Sequence, residues 1–544
     1  MNPDSSLSNP LDGVTTLAAR SAAFPLTRAQ LVALSLTVIV AAALTFRTSG
    51  LASSGLSDDE VTKLRAAQAY SRGDFSVNAE HPMLMKLAVW GSLGVADGWN
   101  RIAPERYHLP VETALRLPNA MAGTATVLAL YGVAHAYFGT AVALVAAMLL
   151  ALDPNVSAIN RIGKEDTFIV LFFMLAVWCY ERGKQVGVTD RSGAQPWYMA
   201  SAAAFGLMMA SKYLPHLYGL YLLANVVTLR NDGGSSPVKR RFFMAMGVAF
   251  TAANFALFLP PTWWNVLGYV QGETLMHHGY PYAGRLWVTD VPISALGVPP
   301  TFYLMFVLTR MPLVALAGCV VGAGITLGRR RERGYGFLRV MLFFLAVGCS
   351  AMAAKFLRYG LPILVLLNLM AAVGIVAGLN WLLTRQTREV RSVALSAACA
   401  TLAVMLFAGQ AQASPHFAMH RNVLARWLDA DGRRFPEAGY DYGVREAVSM
   451  IAATARPGAV IVSDVPSIVR FYLEREGRTD IAIRSFSVHG LSPDATEQWV
   501  FVQDARVYFE TEELIAQLRR RHEPVAIYGL EGVPLLEVFR LSAL

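Results

Sequence analysis

Long apolar runs separated by short polar segments fill most of the chain before residue 412. A helix needs roughly 17–25 mostly apolar residues to cross a bilayer, and runs of that order recur throughout this region. The pattern predicts about eleven transmembrane helices, at residues 29–46, 116–138, 140–154, 162–181, 198–211, 213–229, 242–260, 303–327, 335–354, 359–383 and 392–411.

After residue 412 the pattern changes to shorter apolar segments that alternate with amphipathic ones. Strands are predicted at 459–462, 481–483, 499–502 and 525–528, and helices at 443–455, 466–475 and 510–521. This alternation predicts a small α/β domain over residues 412–544, here called the C-terminal domain. Its sequence contains neither a GxGxxG motif nor a P-loop, so no signature marks it as nucleotide-binding.

The amino-acid composition also indicates a membrane protein. Of the 544 residues, 55% are hydrophobic and 16% are charged, whereas soluble proteins carry roughly 25% charged residues. These values indicate a polytopic α-helical membrane protein. The net charge of +9 lies largely in short clusters between predicted helices, so it bears on membrane orientation and does not indicate a nucleic-acid partner. The four cysteines lie in apolar segments without a CxxC pattern, which argues against disulfides and structural zinc.

The basic clusters predict the orientation in the membrane. They fall between predicted helices and, by the positive-inside tendency, face the cytoplasm; they occupy 182–191, 230–241, 329–333 and 385–391. Alternation then places the first outer loop (47–115) and the C-terminal domain outside the cytoplasm, and makes 1–28 a disordered cytoplasmic tail. The segment 83–99 would break this alternation if it crossed, so we interpret it as an interfacial helix on the outer surface. We therefore expect a multi-pass protein of the inner (cytoplasmic) membrane.

Charged residues gather at the predicted outer face. The set comprises Asp58, Asp59, Glu60, Glu80, His81, Lys86, Arg161, Asp166, Lys212, Lys355 and Arg358. Each has a simpler interpretation by itself: a capping box from Ser57 to Glu60, an acid that counters a helix dipole, or a cation that reaches for lipid headgroups. Carboxylates and fixed cations together at one membrane face indicate catalysis or ion binding.

The order of these residues resembles a known signature. Asp59-Glu60, Gly73-Asp74, His81-Pro82 and Lys86 are similar to the Asp-Glu … His-Pro-Pro-Leu-x-Lys signature of the dolichyl-phosphate-mannose protein mannosyltransferase family, with Met83 in place of the second proline. Further landmarks that look like those of this superfamily are Arg116-Leu117-Pro118, Arg161 with Asp166, Gly206 … Ser211-Lys212-Tyr213 and Arg358-Tyr359 … Pro362. Residues 29–411 thus resemble the GT-C glycosyltransferases, which include the bacterial lipid A aminoarabinose transferases. Tyr440-Asp441-Tyr442-Gly443 is similar to a motif of related bacterial enzymes.

The resemblance implies transfer of a single sugar from a polyprenyl-phosphate carrier to a protein, glycolipid or envelope glycan, with inversion at the anomeric carbon. Asp59 matches the family's aspartate and is expected to be the general base, with Glu60 or Asp58 as support or substitute. Arg358 is expected to bind the donor phosphate bidentately. The remaining donor-site expectations are Lys86, Arg161, Lys212 and Lys355 as phosphate-binding or positioning cations, Asp166 near the sugar, and Glu80 and His81 as supporting residues.

Two questions stay open at the level of sequence. Fixed cations suffice to balance a lipid phosphate, so no cofactor is required, and a divalent metal held by Asp59, Glu60 and His81 is the minority alternative. A membrane transporter or lipid flippase that uses the same acids is the alternative function, and a non-catalytic scaffold is a third. The charges lie at one membrane face rather than at the midplane, and no inverted repeat is apparent, which favours the transferase.

Overall fold

The helices predicted from the apolar runs are present in the computed structural model, which describes residues 27–213, 216–228, 239–270, 279–289, 297–329, 332–492 and 494–542. The helices before residue 414 are α1 (Arg28–Thr48), α2 (Asp58–Tyr70), α3 (Leu84–Ile102), α4 (Val111–Phe138), α5 (Thr140–Ala151), α6 (Pro154–Asn160), α7 (Asp166–Gly187), α8 (Arg191–Ser211), α9 (His216–Thr228), α10 (Lys239–Ala253), α11 (Pro260–Val270), α12 (Phe302–Arg310), α13 (Leu313–Gly328), α14 (Arg333–Ala351), α15 (Leu361–Leu382) and α16 (Arg388–Ala413). The predicted tail 1–28 lies outside the described residues apart from its last two positions.

The predicted spans 242–260 and 303–327 are both divided. Within 242–260, α10 ends at Ala253 and a 3-10 turn, Phe255–Phe258, follows. Residues 303–327 form α12 and α13, which are separated just before Pro312. Proline lacks a backbone N–H and disfavours the helical conformation in the residue before it, so the break follows from the sequence. A short 3-10 turn, Leu357–Gly360, similarly precedes α15.

Several helices can cross a bilayer. Among the described residues, five are long and apolar enough to do so: they contain α1, α4, α14, α15 and most of α16. The pair α5 and α6, bent by 64°, makes a sixth if it counts as one span. The protein is therefore a multi-pass membrane protein, while the predicted total of eleven spans stays a prediction. α3 is not among these helices, but neither are α7 and α8, so the interfacial interpretation of 83–99 stays a prediction.

The centre of the bundle is closely packed. α5 is buried along most of its length, and it packs against α4 and α15. α13 and α15 approach each other through glycines, since a Cβ atom on Gly374 would overlap the carbonyl oxygen of Gly318. Small residues at helix contacts allow such close backbone approach in membrane bundles.

Strands and helices alternate after residue 414, as the sequence predicts. The strands there are β3 (Val460–Val462), β4 (Ala482–Arg484), β5 (Glu497–Gln503), β6 (Ala526–Leu530) and β7 (Val533–Ser542), whereas β1 (Tyr280–Tyr282) and β2 (Arg285–Trp287) form a separate hairpin earlier in the chain. The helices are α17 (Ala425–Leu428), α18 (Val444–Thr454), α19 (Pro466–Arg475), α20 (Phe486–His489) and α21 (Phe509–Arg521). The sheet order is β4-β3-β5-β7-β6; β3 pairs in parallel with β4 and β5, and β7 pairs antiparallel with β5 and β6.

The C-terminal domain is docked on the first outer loop. The backbone N–H of Leu56 donates to the Tyr472 hydroxyl at 2.7 Å, and that hydroxyl donates to Glu112 at 3.1 Å. Arg475 pairs with the same carboxylate at 3.0 Å. α19 thereby holds the chain just before α2 against the start of α4, and the position of α2 depends on both parts of the protein.

Candidate active site

The three consecutive acids lie at the first turn of α2. Ser57 and Glu60 form the capping box that the sequence suggests. Consecutive residues of an α-helix project about 100° apart. Asp58, Asp59 and Glu60 therefore face three different surroundings, and the structure gives them three different tasks.

Glu60 is buried, with 1% of its side chain exposed, and is fully engaged with protein groups. Its oxygens accept from Arg116 at 2.8 and 2.7 Å and from the backbone N–H of Gly163 at 2.9 Å. Burial raises its pKa, but the Arg116 guanidinium more than offsets this and leaves the pKa below the ordinary value. Glu60 connects α2, α4 and the 161–165 loop, so the geometry does not support the prediction of a catalytic role for it.

Asp58 faces the C-terminal domain. Its carboxylate accepts a hydrogen bond from the Ser467 hydroxyl, and its backbone N–H donates to Asp441 at 3.0 Å. Burial raises the pKa of this carboxyl above its ordinary value. Asp58 thus joins α2 to the C-terminal domain, and its expected supporting role in catalysis stays a prediction.

Asp59 faces a cavity of about 580 Å³, part of which is open to solvent. About a third of its side chain is exposed. Oδ1 pairs with Lys164 at 2.8 Å, and Oδ2 accepts from the Tyr440 hydroxyl at 2.9 Å. We call this space the Asp59 cavity; its charged and polar lining includes Asp59, Lys164, Arg358, Glu437 and Tyr440, and its apolar lining includes Ile159, Ile162, Phe306 and Leu357.

Arg358 lies in the same cavity among three carboxylates. Its guanidinium nitrogens are 3.8 Å from Asp59, 3.6 Å from Asp166 and 3.5 Å from Glu437. Within the described part of the chain, none of these contacts meets hydrogen-bond geometry, so the guanidinium fork keeps N–H donors for a ligand. The ring of Phe356 supports the guanidinium at 4.3 Å.

The charge balance around Asp59 favours its ionised form. Burial raises the pKa of Asp59, but Lys164 and Arg358 more than offset this and hold the pKa below its ordinary value. A carboxylate held by two cations is a weak base. Any ligand that draws these cations away would make Asp59 more basic.

Asp166 and Lys212 extend the cluster as the sequence predicts. Asp166 begins α7, and Lys212 follows α8; their side chains pair at 3.0 Å. The Lys212 ammonium also lies 4.1 Å from the centre of the Tyr359 ring. The structure thus brings Asp59, Asp166, Lys212 and Arg358 together at one end of the bundle, as the predicted loop alternation requires.

Three predicted phosphate-binding cations are placed differently. Arg161 donates to the backbone carbonyls of Phe46 and Gly50, both at 2.8 Å, and so caps the end of α1. Lys86 donates to the carbonyls of Asn78 and His81, and Lys355 donates to those of Val298 and Met352. Lys86 and Lys355 are fully buried. Their N–H groups donate to main-chain carbonyls, and the expectation that these three cations bind the donor stays a prediction.

The supporting residues belong to a neighbouring polar network, whose Glu165 lies 3.9 Å from Lys164 of the Asp59 cavity. Lys63 pairs with Glu165 at 2.6 Å and donates to Asn78 at 2.7 Å, and Asn78 in turn donates to Glu80. Burial, followed by the nearby Lys63 charge, lowers the pKa of His81 to about 3, so this imidazole is neutral at pH 7. Among the described residues, no group of three or more His, Cys, Asp or Glu side chains is placed to hold a metal ion, and this includes the alternative set of Asp59, Glu60 and His81.

The sequence reasoning missed three residues of the cavity. Lys164 directly precedes the Glu165-Asp166 pair, so the loop alternation that placed Asp166 at this face applied equally to it. Glu437 accepts from Tyr280 at 2.7 Å and from the backbone of Leu357 at 3.1 Å, which fixes the turn that carries Arg358. Tyr440 belongs to the motif Tyr440-Asp441-Tyr442-Gly443, for which the sequence predicts no role. Glu437 and Tyr440 are more than 350 residues from Asp59, and only the fold brings them near it.

Parts of the chain are similar to known proteins. A family model described as dolichyl-phosphate-mannose-protein mannosyltransferase matches residues 109–264. Two Bacillus subtilis (strain 168) proteins are similar: "Putative mannosyltransferase YycA", 30% identical over 125 residues (22% of this chain, 17% of that protein), and "Putative mannosyltransferase YkcB", 28% identical over 120 residues (21% and 16%). The matched segments span about one sixth of the length of either relative.

The similarity to a solved structure covers nearly the whole chain. The crystal structure of ArnT from Cupriavidus metallidurans bound to undecaprenyl phosphate matches with a TM-score of 0.50 and 15% identity, over 92% of this chain and 97% of that one. The chain shares the fold of this ArnT, as the resemblance implies. The family match includes Lys164, Asp166 and Lys212 but neither Asp59 nor Arg358, whose roles are argued from the cavity itself.

Proposed function

We propose that the protein is an inverting glycosyltransferase that moves a single sugar from a polyprenyl-phosphate donor to an acceptor on the extracytoplasmic face of the inner membrane. One observation carries the proposal: the Asp59 carboxylate and the Arg358 guanidinium share one cavity, 3.8 Å apart. A base and a phosphate-binding cation at this separation fit a reaction in which a hydroxyl loses a proton while a phosphate leaves.

The phosphate side of the site is supplied by Arg358 and Lys164. The planar fork of Arg358 suits two phosphate oxygens at once, and Lys164 adds a point charge. Negative charge grows on the leaving phosphate during the reaction, and fixed cations stabilise it best where little water is present. Arg358 is 13% exposed and Lys164 is 8% exposed, so both are largely shielded from solvent.

The base side of the site is Asp59. In the free protein two cations hold the carboxylate in its charged form, which ensures that it is deprotonated but keeps it a weak base. When the donor phosphate binds Arg358, that cation is shared with a second anion and its hold on Asp59 weakens. Donor binding would thus raise the basicity of Asp59 at the time when the base is needed.

The chemical step follows from this placement. The acceptor oxygen attacks the anomeric carbon, and its proton passes to Asp59. The bond between the anomeric carbon and the phosphate oxygen breaks, and its electron pair stays on the phosphate beside Arg358. Attack opposite to the leaving group inverts the anomeric centre. The Ile159, Phe306 and Leu357 side chains on the same cavity wall suit the first isoprene units of the carrier.

The proposed orientation rests on the two ends of the bundle. The active-site charges lie at the end where the C-terminal domain is docked, and basic residues of two predicted cytoplasmic clusters, Lys184 and Arg333, line one pocket together. The positive-inside tendency then places the C-terminal domain outside the cytoplasm and the N-terminus inside. The acceptor, whether protein, glycolipid or envelope glycan, would enter from the outer side. The proposed reaction uses no cofactor.

A transfer assay tests the proposal. The full-length protein in lipid nanodiscs is mixed with undecaprenyl-phosphate-linked, radiolabelled hexoses or pentoses and an envelope extract. We expect labelled glycan product and free undecaprenyl phosphate to appear together in equal amounts. Absence of a glycosidic product with every donor, combined with movement of the donor across reconstituted vesicles, would contradict the proposal and favour a flippase.

A further inference from the structure

The C-terminal domain contributes directly to the Asp59 cavity. Residues 437–441 run from this domain to the cavity, where Glu437 contacts Arg358 and Tyr440 contacts Asp59. Tyr440 has a φ of +40°, a left-handed conformation that is uncommon for a bulky residue without a structural or functional reason. The surrounding contacts must therefore hold it there.

Asp441 supplies that anchor. Its carboxylate accepts from Arg506 at 3.1 and 3.2 Å and from Gln503 at 3.1 Å, both at the end of β5. It also accepts the backbone N–H of Asp58 at 3.0 Å, at the first residue of α2. One buried carboxylate thus ties the start of α2 to the C-terminal sheet, and it fixes the residue directly before it, Tyr440.

The contacts of Tyr440 point to a role in catalysis beyond packing. Its hydroxyl donates to Oδ2 of Asp59 at 2.9 Å, while Lys164 holds Oδ1. Arg358 stands 3.8 Å from the same Oδ2. Among the residues that the structure describes, Tyr440 is the hydrogen-bond donor to Oδ2. Loss of its hydroxyl would let the carboxylate close onto Arg358, where its lone pairs would be unavailable to an acceptor.

We propose that Tyr440 is a positioning residue for Asp59: its hydroxyl, held by the Asp441–Arg506 anchor, orients the carboxylate toward the acceptor and keeps it from collapsing onto Arg358. The C-terminal domain thereby completes the active site. This inference rests on the proposed function, since it assigns Asp59 as the base.

The experiment compares Tyr440→Phe with Tyr442→Phe in the full-length protein. Tyr442 is two residues away and packs edge-on against His416 at 5.4 Å, so it is a matched control from the same segment. We expect Tyr440→Phe to lower kcat about ten- to a hundredfold, the effect of losing one hydrogen bond to a charged group. The donor KM, the thermal midpoint and the binding of undecaprenyl phosphate should stay at wild-type values, and Tyr442→Phe should match the wild type throughout.

A pH profile separates positioning from a purely structural role. In the donor complex, where phosphate holds Arg358, the charged form of Asp59 loses a hydrogen bond in Tyr440→Phe, so the acidic limb of kcat should move to higher pH. The charged groups that face Asp59 (Lys164 and Glu165 from the loop before α7, Arg358 from the turn before α15, Glu437 from the C-terminal domain, and Asp58 on α2) are the same in both variants. Equal kcat and pH profiles for the two variants would overturn the inference, as would a kcat loss accompanied by an equal loss of undecaprenyl phosphate binding. If the wild type itself transfers no sugar, the proposed function fails instead.

Discussion

At the scale of residues, the predicted donor-site cations differ in the acceptors that surround their N–H groups. Arg161, Lys86 and Lys355 find main-chain carbonyls, whereas Arg358 finds only carboxylates beyond hydrogen-bond distance within the described residues. All four are Lys or Arg residues at predicted helix ends, and the sequence placed them on one face. It could not distinguish a helix cap from a ligand site, because that difference depends on carbonyls contributed by distant segments.

Arg358 should carry most of the donor-phosphate affinity. Replacement of Arg358 by Ala is expected to weaken undecaprenyl phosphate binding more than tenfold, because it removes a charge-assisted bidentate contact. Arg358→Lys should fall between, since lysine keeps the charge but loses the fork. Calorimetry in nanodiscs measures the dissociation constants. Arg329→Ala, an exposed arginine at the other end of the bundle, is the control; equal affinities for all variants would remove Arg358 from the phosphate site.

The pH dependence should report the change in Asp59 on donor binding. The pKa of Asp59 lies below its ordinary value in the free protein, so the acidic limb of kcat/KM should fall below about pH 4. In the donor complex, Arg358 is shared with phosphate, so the acidic limb of kcat should lie at higher pH. Rate profiles between pH 3 and 8, at limiting and saturating donor, are the measurement. Coincident limbs, or the reverse order, would contradict donor-induced activation.

At the scale of elements, α2 is the helix to which the other parts of the site are bonded. Glu60 joins it to α4 through Arg116 and to the 161–165 loop through Gly163, and that loop delivers Lys164 to Asp59. The sequence predicted the capping box and most helix and strand positions, because these follow from local periodicity. It missed the break at Pro312 and the strand β7, in which Pro534 lies beside an irregularity in the pairing with β6.

Loss of Glu60 should therefore destabilise the protein before it affects chemistry. Glu60→Gln leaves Arg116 buried without its charge partner, a change that typically lowers stability by about 3–5 kcal/mol. The expected result is a large drop in the thermal midpoint in detergent. Glu332→Gln, which breaks the exposed pair with Arg329, should change the midpoint little. Similar midpoints for the two variants would show that Glu60 does not hold these elements together.

At the scale of the whole molecule, the site is assembled from segments that are far apart in sequence. Asp59 comes from the first outer loop, Lys164 and Asp166 from the start of α7, Arg358 from the turn before α15, and Tyr440 from the C-terminal domain. Loop alternation could predict that the membrane-embedded contributors share a face, because helix count fixes parity. It could not predict Tyr440, because the sequence gives no rule for how a C-terminal domain is docked on a bundle.

Asp59 is proposed as the base of a sugar transfer, and the adjacent carboxylate of Asp58 offers the control. Asp59→Asn keeps the size of the side chain and removes the base, so turnover at saturating donor should fall about 10²- to 10⁴-fold. Asp58→Asn, one residue earlier on the same helical turn, keeps its backbone bond to Asp441 and should retain turnover near wild type. Turnover is measured as labelled sugar transferred from its undecaprenyl-phosphate donor by the full-length protein in nanodiscs. Wild-type turnover by Asp59→Asn, or an equal loss in both variants, would contradict the account.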